Sequence, residues 1–441
     1  MDAPSPSIVV FGASGLIGQA MAEDLRKRGF AVAAVARRFT EAQIAAFGDA
    51  TRERPFADLD TKGLAALLAD LDADIAINCV GVLQDGPGGR AEDAHRGFVS
   101  RLLAAIAESG RPILLIHFSI PGKTEDDRTA FSRTKREAEQ LIAKADSPFV
   151  VLRPGFVIAP SAYGGSALVR ALAALPVQLP AFEGARPFAV TATDDLAATI
   201  AHVVTRWRQG ETTWNAVWDV MERQPTTVNE VVDAFKRRFG GPRRKMTLPG
   251  GLLALGAKSA DFAGRLGWSP PIRSTALEEM RRGVVGDPEP WIAATGIEPA
   301  SLDSALASLP STLQERWFGR LYLVKPLVIG VLATFWMISG AIALTTGFPA
   351  AVATLTSQGF GEGLARLLVA TTSLLDVVAA CIGVRRTCWL GLLAGCVVSL
   401  AYLVGATFLT PALWTDPLGP LVKIFPQLAL MIVALAVLGD R

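Results

Sequence analysis

Three glycines, Gly12, Gly15 and Gly18, have the spacing of a loop that binds phosphate groups. Gly12 lets the chain turn sharply out of the apolar run Ile8–Phe11, and Gly15 lets backbone N–H groups approach a pyrophosphate. Gly18 lets the following helix pack close to the strand, which places the phosphate at the positive end of the helix dipole. A second strand, Ala31–Ala36, follows at the required distance, so the pattern predicts dinucleotide binding. The predicted cofactor-binding residues of this loop are Gly12, Ser14, Gly15, Leu16, Ile17 and Gly18.

Two arginines follow the second predicted strand, where an NAD-specific fold normally presents an acidic residue to the ribose 2′-hydroxyl. The guanidinium groups of Arg37 and Arg38 would attract a 2′-phosphate. We therefore expect NADP as the cofactor, with NAD as the alternative. A solvated strand end is the other interpretation of the two arginines.

From Leu321 onwards the sequence is as apolar as a membrane protein. Over the whole chain 51% of residues are hydrophobic, and the excess lies in this part. Four stretches approach the roughly 20 residues that cross about 30 Å of hydrocarbon as a helix. They are Pro326–Thr346, Leu364–Val384, Cys388–Leu409 and Val422–Leu438. The sequence predicts an α-helical four-span transmembrane bundle over residues 321–441, in contact with the lipid bilayer.

Basic residues set the orientation of the predicted spans. They lie before the first span, in the turn between the second and third spans and at the end of the chain: Arg316, Arg320, Lys325, Arg385, Arg386 and Arg441. With four spans all of them fall on one side, which predicts a multi-pass protein of the inner membrane with both termini and the nucleotide domain in the cytoplasm. The loops 348–363 and 410–420 would face the periplasm. Residues 1–7 lack the basic and apolar regions of a signal peptide, and we expect them to be disordered.

One carboxylate, Asp376, lies in the middle of the second predicted span, where its ionised form is costly. We expect it to face the interior of the bundle. It either belongs to a proton or quinone site or forms a hydrogen bond with Ser373, Ser399 or Thr371. The four cysteines have no spacing typical of metal ligands, and we expect them to be reduced packing residues.

The sequence from about Ser7 to Arg320 resembles the short-chain dehydrogenase/reductase superfamily. The resemblance is carried by the glycine spacing GASGLIG, the strand Ile75–Val80 running into Gly81, the strand Ile113–Phe118 ending in Ser119, and the stretch FSRTKREAE. Within the superfamily the chain most resembles the atypical branch that includes the nucleotide-binding accessory subunit of respiratory complex I and NmrA-like regulators. This resemblance implies an α/β fold with a Rossmann-type, doubly wound parallel sheet that binds NAD(P).

The resemblance also implies further cofactor-binding residues. Asp58 and Leu59 would lie near the adenine ring. Val80 and Gly81 would line the cofactor, and Pro154 would lie beside the nicotinamide.

In the superfamily a tyrosine relays a proton, a lysine four residues later lowers its pKa and holds the ribose, and an upstream serine polarises the substrate carbonyl. Ser119 and Lys135 match the serine and the lysine, so the resemblance implies that both are catalytic and that Lys135 also binds the cofactor. Phe131 stands at the tyrosine position. Because a phenyl ring has no proton to give, carbonyl reduction lacks its usual acid unless Ser119, Ser132, Thr134 or a water replaces it.

The apolar tail resembles the DoxX-like family, most clearly at Trp414–Pro420, Lys423 and Pro426. That family takes its name from a subunit of a membrane thiosulfate:quinone oxidoreductase. The resemblance therefore suggests a redox setting, although it transfers no catalytic residue.

Four segments are expected along the chain: a disordered N-terminus (1–7), a nucleotide-binding domain (8–205), a substrate-side and juxtamembrane part (206–320) and a membrane domain (321–441). The basic cluster at 236–245 is either a solvated face or a surface for anionic lipid. The net charge of +2 gives no reason to expect a nucleic-acid partner.

Two functions fit these expectations. The first is a membrane-anchored NAD(P)-dependent oxidoreductase or epimerase-like enzyme that acts on a lipophilic substrate such as a quinone or an isoprenoid. The second is a catalytically weak NADPH-binding scaffold, assembly factor or redox sensor for a membrane redox complex. The missing tyrosine favours the second, whereas the intact glycine loop, Ser119 and Lys135 favour the first.

Overall fold

The structure is a computed structural model that describes residues 6–55, 58–85, 89–267, 270, 272–383 and 387–438. It divides into two compact units. Unit 1 comprises residues 1–261 and 270–319, and unit 2 comprises residues 262–269 and 320–441.

The strands belong to unit 1. In chain order they are Ser7–Phe11 (β1), Ala31–Ala36 (β2), Thr51–Glu53 (β3), Ile75–Asn78 (β4), Leu114–Phe118 (β5), Phe149–Pro154 (β6), Phe156–Ile158 (β7), Val177–Gln178 (β8), Pro187–Phe188 (β9), Val190–Ala192 (β10), Asn215–Val220 (β11), Thr226–Thr227 (β12) and Met246–Thr247 (β13).

Helices connect these strands and cover both faces of the sheet. In chain order they are Leu16–Lys27 (α1), Glu41–Phe47 (α2), Thr61–Asp70 (α3), Phe98–Glu108 (α4), Ala130–Lys144 (α5), Gly165–Ala174 (α6), Ala181–Gly184 (α7), Thr193–Arg208 (α8), Val228–Phe239 (α9), Gly250–Arg265 (α10), Ser274–Arg282 (α11), Glu289–Thr295 (α12), Leu302–Ala307 (α13) and Leu313–Tyr322 (α14).

Seven strands form one parallel sheet in the order β11-β6-β5-β4-β1-β2-β3. The chain builds outward from β1 in one direction through β2 and β3, and in the other through β4, β5, β6 and β11. The predicted Rossmann-type parallel sheet is therefore confirmed. Ser7, which we expected in the disordered N-terminus, instead begins β1. Residues 1–5 of that segment lie outside the described residues.

Apolar side chains cover both faces of this sheet, and they alternate between the two faces along the central strands β1, β2, β4, β5 and β6. Ile8 and Val10 belong to a core cluster that includes side chains of α1 and α8. Val9 and Phe11 belong to a second cluster that includes side chains of α3 and α4. Because both faces are buried, β1 appears in the sequence as an unbroken apolar run.

Helix α9 begins with a capping box. The N–H of Glu230 donates to Thr227 Oγ1 at 3.3 Å, and the N–H of Thr227 donates to Glu230 Oε2 at 2.6 Å. Two side chains of the basic cluster that follows donate hydrogen bonds to backbone carbonyls of unit 1. Lys236 Nζ donates to the Val177 carbonyl at 2.6 Å, and Arg238 donates to the Leu309 carbonyl at 2.6 Å.

Unit 2 is helical in the residues that the structure describes. Its helices are Val324–Leu344 (α15), Phe348–Ser357 (α16), Glu362–Gly383 (α17), Cys388–Leu409 (α18) and Ile424–Ala436 (α19). Among the described residues three helical segments are long and apolar enough to cross a membrane: Leu313–Leu344, Glu362–Gly383 and Cys388–Leu409.

Two expectations for this unit need correction. The fourth predicted span is a helix of only 13 residues, α19, whose length of about 20 Å is less than the hydrocarbon thickness. The predicted loop 348–363 contains the ten-residue helix α16. The apolar face of α16 packs on α17 through Val352, which explains why this loop is helical. The turn residues Arg385 and Arg386, and Arg441, lie outside the described residues.

Asp376 is buried within unit 2, as expected. The Thr371 hydroxyl donates to the Leu367 carbonyl at 2.7 Å, and Ser399 Oγ accepts from Gln427 at 3.1 Å, which leaves the Ser399 O–H available as a donor. At one end of the unit Lys325 Nζ donates to the carbonyl of Leu438 at 2.7 Å. The start of α15 and the end of the described chain therefore lie at the same end of unit 2.

Candidate functional site

The glycine loop between β1 and α1 has the close packing that its sequence predicts. Gly12 has a φ of +79°, and a Cβ atom there would lie 3.1 Å from the backbone carbon of Cys79. A Cβ atom on Gly18 would lie 2.3 Å from the Gly12 carbonyl oxygen. Any side chain at Gly18 would therefore push α1 away from the loop.

The N-terminus of α1 leaves backbone donors available for a ligand. The N–H groups of Gly12 and Ala13 both donate to the Val35 carbonyl, at 2.9 and 3.1 Å, and Gly15 donates to the Gly12 carbonyl at 2.9 Å. Within the described chain no side chain caps α1, whose N-cap is Gly15. The first N–H groups of the helix, beginning at Leu16, are thus open to an anion, and this end of the helix is suited to a pyrophosphate.

The residues predicted to bind the adenosine half of the dinucleotide follow strands β2 and β3. Arg37 and Arg38 directly follow β2, and both are exposed. Asp58 is exposed beyond β3, whereas Leu59 packs against the apolar cluster under the sheet. Beside the arginines, the Glu53 carboxylate accepts the N–H of Phe39 at 2.8 Å.

Three side chains fix the backbone that follows β4. Asn78 Oδ1 accepts the N–H of Val80 at 3.0 Å, and Lys135 Nζ donates to the Val80 carbonyl at 3.1 Å. His95 Nε2 accepts the N–H of Val82 at 3.0 Å. Gly81 lies between these anchors, and a Cβ atom there would lie 3.6 Å from Lys135 Nζ. The two predicted residues Val80 and Gly81 are therefore held against the predicted catalytic lysine.

His95 is a structural side chain in this arrangement. Since its Nε2 accepts a hydrogen bond from Val82, the ring hydrogen is on Nδ1, which donates to Thr134 Oγ1 at 2.8 Å. The Thr134 hydroxyl in turn donates to the Ala130 carbonyl at 2.7 Å. Burial, together with the positive charge of Lys135, lowers the pKa of His95 to about 2. The imidazole is therefore neutral at ordinary pH and cannot supply a proton to a substrate.

His117 is also unsuited to acid catalysis. It is fully buried in β5, and its Nδ1 accepts from the Asn78 amide at 3.1 Å. Burial and the neighbouring charge of Lys135 hold the pKa of His117 well below its usual value. Both histidines are therefore structural side chains at this site.

Lys135 is buried with its ammonium group between two strand ends. Besides the Val80 carbonyl, Nζ reaches the Phe118 carbonyl at 2.8 Å, directly before Ser119. Burial lowers the pKa of Lys135 to about 8, against the opposing influence of Cys79 and Glu139. Lys135 is therefore close to its titration midpoint at mildly alkaline pH.

Phe131 lies one helical turn before Lys135 on α5. Its ring is half-buried and meets the His95 ring edge-on, with 5.5 Å between the ring centroids. The position is filled by a packed aromatic ring, and the described structure offers no other group at this position with an acidic proton.

Ser119 lies where β5 ends, beside a buried ionic network. Its N–H donates to the Leu152 carbonyl at 2.8 Å, and its hydroxyl lies next to Glu139 without a hydrogen bond of ordinary geometry. Burial alone would raise the pKa of Glu139, but two hydrogen bonds from Arg153, at 2.9 and 2.6 Å, and contact with Ser119 and Arg136 hold it below its usual value. Glu139 is therefore an anion at neutral pH.

The end of β6 faces this network too. Pro154 is buried as the last residue of the strand, and Arg153 before it is committed to the Glu139 carboxylate. A Cβ atom on Gly155 would lie 2.4 Å from the Ala189 carbonyl oxygen, so the chain leaves β6 in close contact with the segment before β10.

The predicted residues thus gather at the carboxyl ends of the parallel strands, where open α/β sheets bind ligands. The structure brings Val80, Gly81, Ser119 and Lys135 into one group through shared hydrogen bonds and chain neighbours. Sequence reasoning did not identify Asn78, His95 and Thr134 as the residues that hold this group. No local pattern marks them, because the contacts that bring them together join residues 13 and 39 positions apart along the chain.

Comparison with family models identifies two domains. Residues 8–216 match the NAD dependent epimerase/dehydratase family, and residues 333–432 match the DoxX-like family. No curated protein matches the chain. The chain therefore joins a domain similar to the NAD dependent epimerase/dehydratase family to a DoxX-like domain.

Solved epimerase structures share the fold of the first domain. They include UDP-glucose 4-epimerase from Stenotrophomonas maltophila with bound NAD (15% identity, TM-score 0.51, covering 73% of this chain and 100% of that one). A UDP-glucose 4-epimerase from Thermotoga maritima with UDP-glucose has 15% identity and a TM-score of 0.51, covering 72% and 99%. A UDP-glucuronic acid 4-epimerase from Bacillus cereus with NAD has 16% identity and a TM-score of 0.51, covering 72% and 99%. At these identities the likeness establishes the fold alone.

Proposed function

We propose that unit 1 binds a nicotinamide dinucleotide, with NADP(H) preferred, and that the protein holds this nucleotide at the cytoplasmic face of the inner membrane while catalysing little or no general carbonyl reduction. The observation that carries the proposal is the pairing of an intact dinucleotide loop with a phenyl ring at the acid position. The close packing at Gly18 and the open N-terminus of α1 support binding. The packed phenyl ring of Phe131, which has no proton to donate, supports weak carbonyl reduction.

The residues that would hold the nucleotide follow the strand ends in order. The pyrophosphate would lie on the backbone of Gly12, Ser14, Gly15, Leu16, Ile17 and Gly18, with the 2′-phosphate on Arg37 and Arg38. The adenine would lie by Asp58 and Leu59, and the nicotinamide ribose by Val80, Gly81, Lys135 and Pro154. When bound, the nicotinamide supplies a hydride donor or acceptor.

The chain's own residues would prepare the nicotinamide end. Lys135 presents a cation that two backbone carbonyls already orient, and a ribose hydroxyl would accept from its remaining N–H group. Ser119 would donate to a substrate oxygen, since its hydroxyl forms no ordinary hydrogen bond within the described chain. Neither group replaces the acid, because Lys135 is bound to carbonyls and a serine hydroxyl is a far weaker acid than a phenol.

A second candidate is an oxidoreductase or epimerase-like enzyme for a lipophilic substrate such as a quinone or an isoprenoid. The observation that favours it is that Ser119 and Lys135 lie together at the strand ends, joined through the Phe118 carbonyl. The DoxX-like domain and its apolar helices would supply such a substrate from the bilayer. In the first proposal the same membrane domain would instead place the bound nucleotide next to a membrane redox complex.

Cofactor preference provides the direct test. NADPH is expected to bind more tightly than NADH, by about 1.5–3 kcal/mol for each good guanidinium contact to the 2′-phosphate. Titration of both nucleotides into the full chain in detergent measures this difference. The double variant Arg37→Gln/Arg38→Gln should remove the preference while leaving NADH affinity unchanged. Equal affinities of the unmodified protein for the two nucleotides would contradict the assignment.

The topology is tested by cysteine labelling from outside intact cells. Single cysteines introduced at exposed positions of 348–363 and 410–420 should react with an impermeant maleimide, because these segments are expected to face the periplasm. A cysteine at Thr387, in the turn before α18, should react only after the cells are permeabilised. Labelling of the Thr387→Cys variant in intact cells would show that the predicted number of spans or their orientation is wrong.

A further inference from the structure

We propose that α10 and the segment just before it form a surface that binds anionic phospholipid, in addition to the membrane contact made by the spanning helices. The surface consists of exposed apolar side chains along α10 and the basic residues beside them. We call it the α10 surface, and its residues are Arg243, Arg244, Met246, Leu252, Leu255, Lys258, Phe262 and Arg265.

The apolar part of the α10 surface is a row on one side of the helix. Leu252, Leu255 and Phe262 are 59%, 62% and 62% exposed. Their spacing of three and seven residues places them on one face of an α-helix. The buried residues Leu253 and Ala257 lie on a different face, and they attach α10 to the core of unit 1. The helix is thus anchored on one side and presents large apolar side chains on the other.

Basic side chains accompany this row. Lys258 and Arg265 lie on the exposed side of the helix, next to the apolar row in helical projection. Arg243 and Arg244 precede the helix, and both are exposed. Within the described residues none of these four side chains forms an ion pair. Lys236 and Arg238, in contrast, donate hydrogen bonds to backbone carbonyls of unit 1.

Met246 adds to the apolar part just before the helix. It is 70% exposed at β13, two residues after Arg244. Apolar side chains beside unpaired cations are the composition of a helix that lies in the membrane interface, where its apolar face enters the acyl boundary and its cations meet anionic headgroups. Charge complementarity therefore selects an anionic lipid surface.

The covalent attachment to the membrane favours lipid over a protein partner. Helix α14 ends at Tyr322 and α15, which is long enough to span, begins at Val324. This short connection keeps the α10 surface at a high effective concentration near the bilayer, so a small surface is enough to bind. A stable contact with a second copy needs about 1,000 Å² of complementary surface, more than one narrow row of side chains provides.

Photocrosslinking of the full chain in vesicles tests the proposal without using the nucleotide site. Benzoylphenylalanine is introduced in place of Leu255, and in place of Lys62 on α3 as a control position that is also exposed. The vesicles are phosphatidylcholine alone or phosphatidylcholine mixed with phosphatidylglycerol. We expect the Leu255 position to crosslink to phospholipid, more strongly with phosphatidylglycerol, and the Lys62 position to give only background. Adding Arg243→Gln and Arg244→Gln should reduce the crosslink by about tenfold or more.

Three results would overturn the proposal. A crosslinked product of twice the chain mass would assign the surface to a second copy. A yield at Leu255 equal to that at Lys62 would show that lipid does not reach α10. Equal crosslinking yields with and without phosphatidylglycerol would show that the surface does not prefer anionic phospholipid. Unchanged thermal unfolding of each labelled protein shows that the fold is intact, and a failure of nucleotide binding would leave this test unaffected.

Discussion

Phe131→Tyr is expected to raise the carbonyl reductase activity of this protein by about 10²–10⁴-fold, the usual contribution of a positioned acid. The phenol would be placed on the same helix as Lys135, one turn before it, where the ammonium group can lower its pKa. The added hydroxyl changes the side-chain volume little, and the ring already packs against His95. NADPH oxidation with quinones and simple ketones, followed on the full chain in detergent, measures the gain.

The pH profile of this variant separates catalysis from a packing effect. Because burial lowers the pKa of Lys135 to about 8, its ammonium form predominates below that pH and is lost above it. The gained rate should therefore decline as the pH rises through about 8, and Lys135→Met should abolish it. Phe131→Leu serves as the matched control, since it changes the packing without adding an acid. Robust NADPH oxidation by the unmodified protein, abolished by Ser119→Ala, would contradict the proposed weak activity.

Gly18→Ala is expected to prevent tight dinucleotide binding and to lower stability by about 1–3 kcal/mol, as overpacking of a close contact does. The new Cβ atom would lie 2.3 Å from the Gly12 carbonyl oxygen, so either α1 or the glycine loop must move. Such a movement displaces the N–H groups at the start of α1 from the pyrophosphate, and the dissociation constant should rise by at least about tenfold, or 1.4 kcal/mol. Nucleotide titration and thermal unfolding measure the two effects.

Gly251→Ala is the matched control for this substitution. Gly251 is also helical, but a Cβ atom there would have no neighbour within 4 Å. Alanine at this position should leave nucleotide binding unchanged and stabilise the protein slightly, by up to about 1 kcal/mol, because glycine is the poorer helix former. If Gly18→Ala bound the nucleotide as tightly as Gly251→Ala, the glycine loop would not be the pyrophosphate site.

Local patterns were sufficient where neighbouring residues determine the structure. The strand before Gly12, the glycine turn and α1 follow one another in the chain, and each has a period or a backbone requirement of its own. The capping box at the start of α9 likewise depends on Thr227 and Glu230, which are only three positions apart. The hydropathy of the tail likewise identified the helices α15, α17 and α18, since the cost of burying polar groups in lipid acts on each segment separately.

The ends of the membrane segments were less predictable. Hydropathy extended the fourth span to Val422, but the helix α19 begins only at Ile424, after the turns that follow the proline-rich segment. The predicted periplasmic loop gained α16 because Val352 packs on Ala365 and Val369 of α17. Packing between segments determines where such helices begin and end. The hydropathy of a sequence window carries no information about that packing.

By itself the sequence determined the parallel nucleotide-binding fold, the membrane tail and the absence of tyrosine at position 131, because each depends on residue type at short spacing. Only the tertiary structure decided that Lys135 bonds to two strand ends, that His95 is a neutral anchor for Val82, and that Arg153 is committed to Glu139. These contacts join residues 13 to 55 positions apart. They form only after the sheet has brought the strand ends together, and the loop-closure entropy of that step is not encoded in any local pattern.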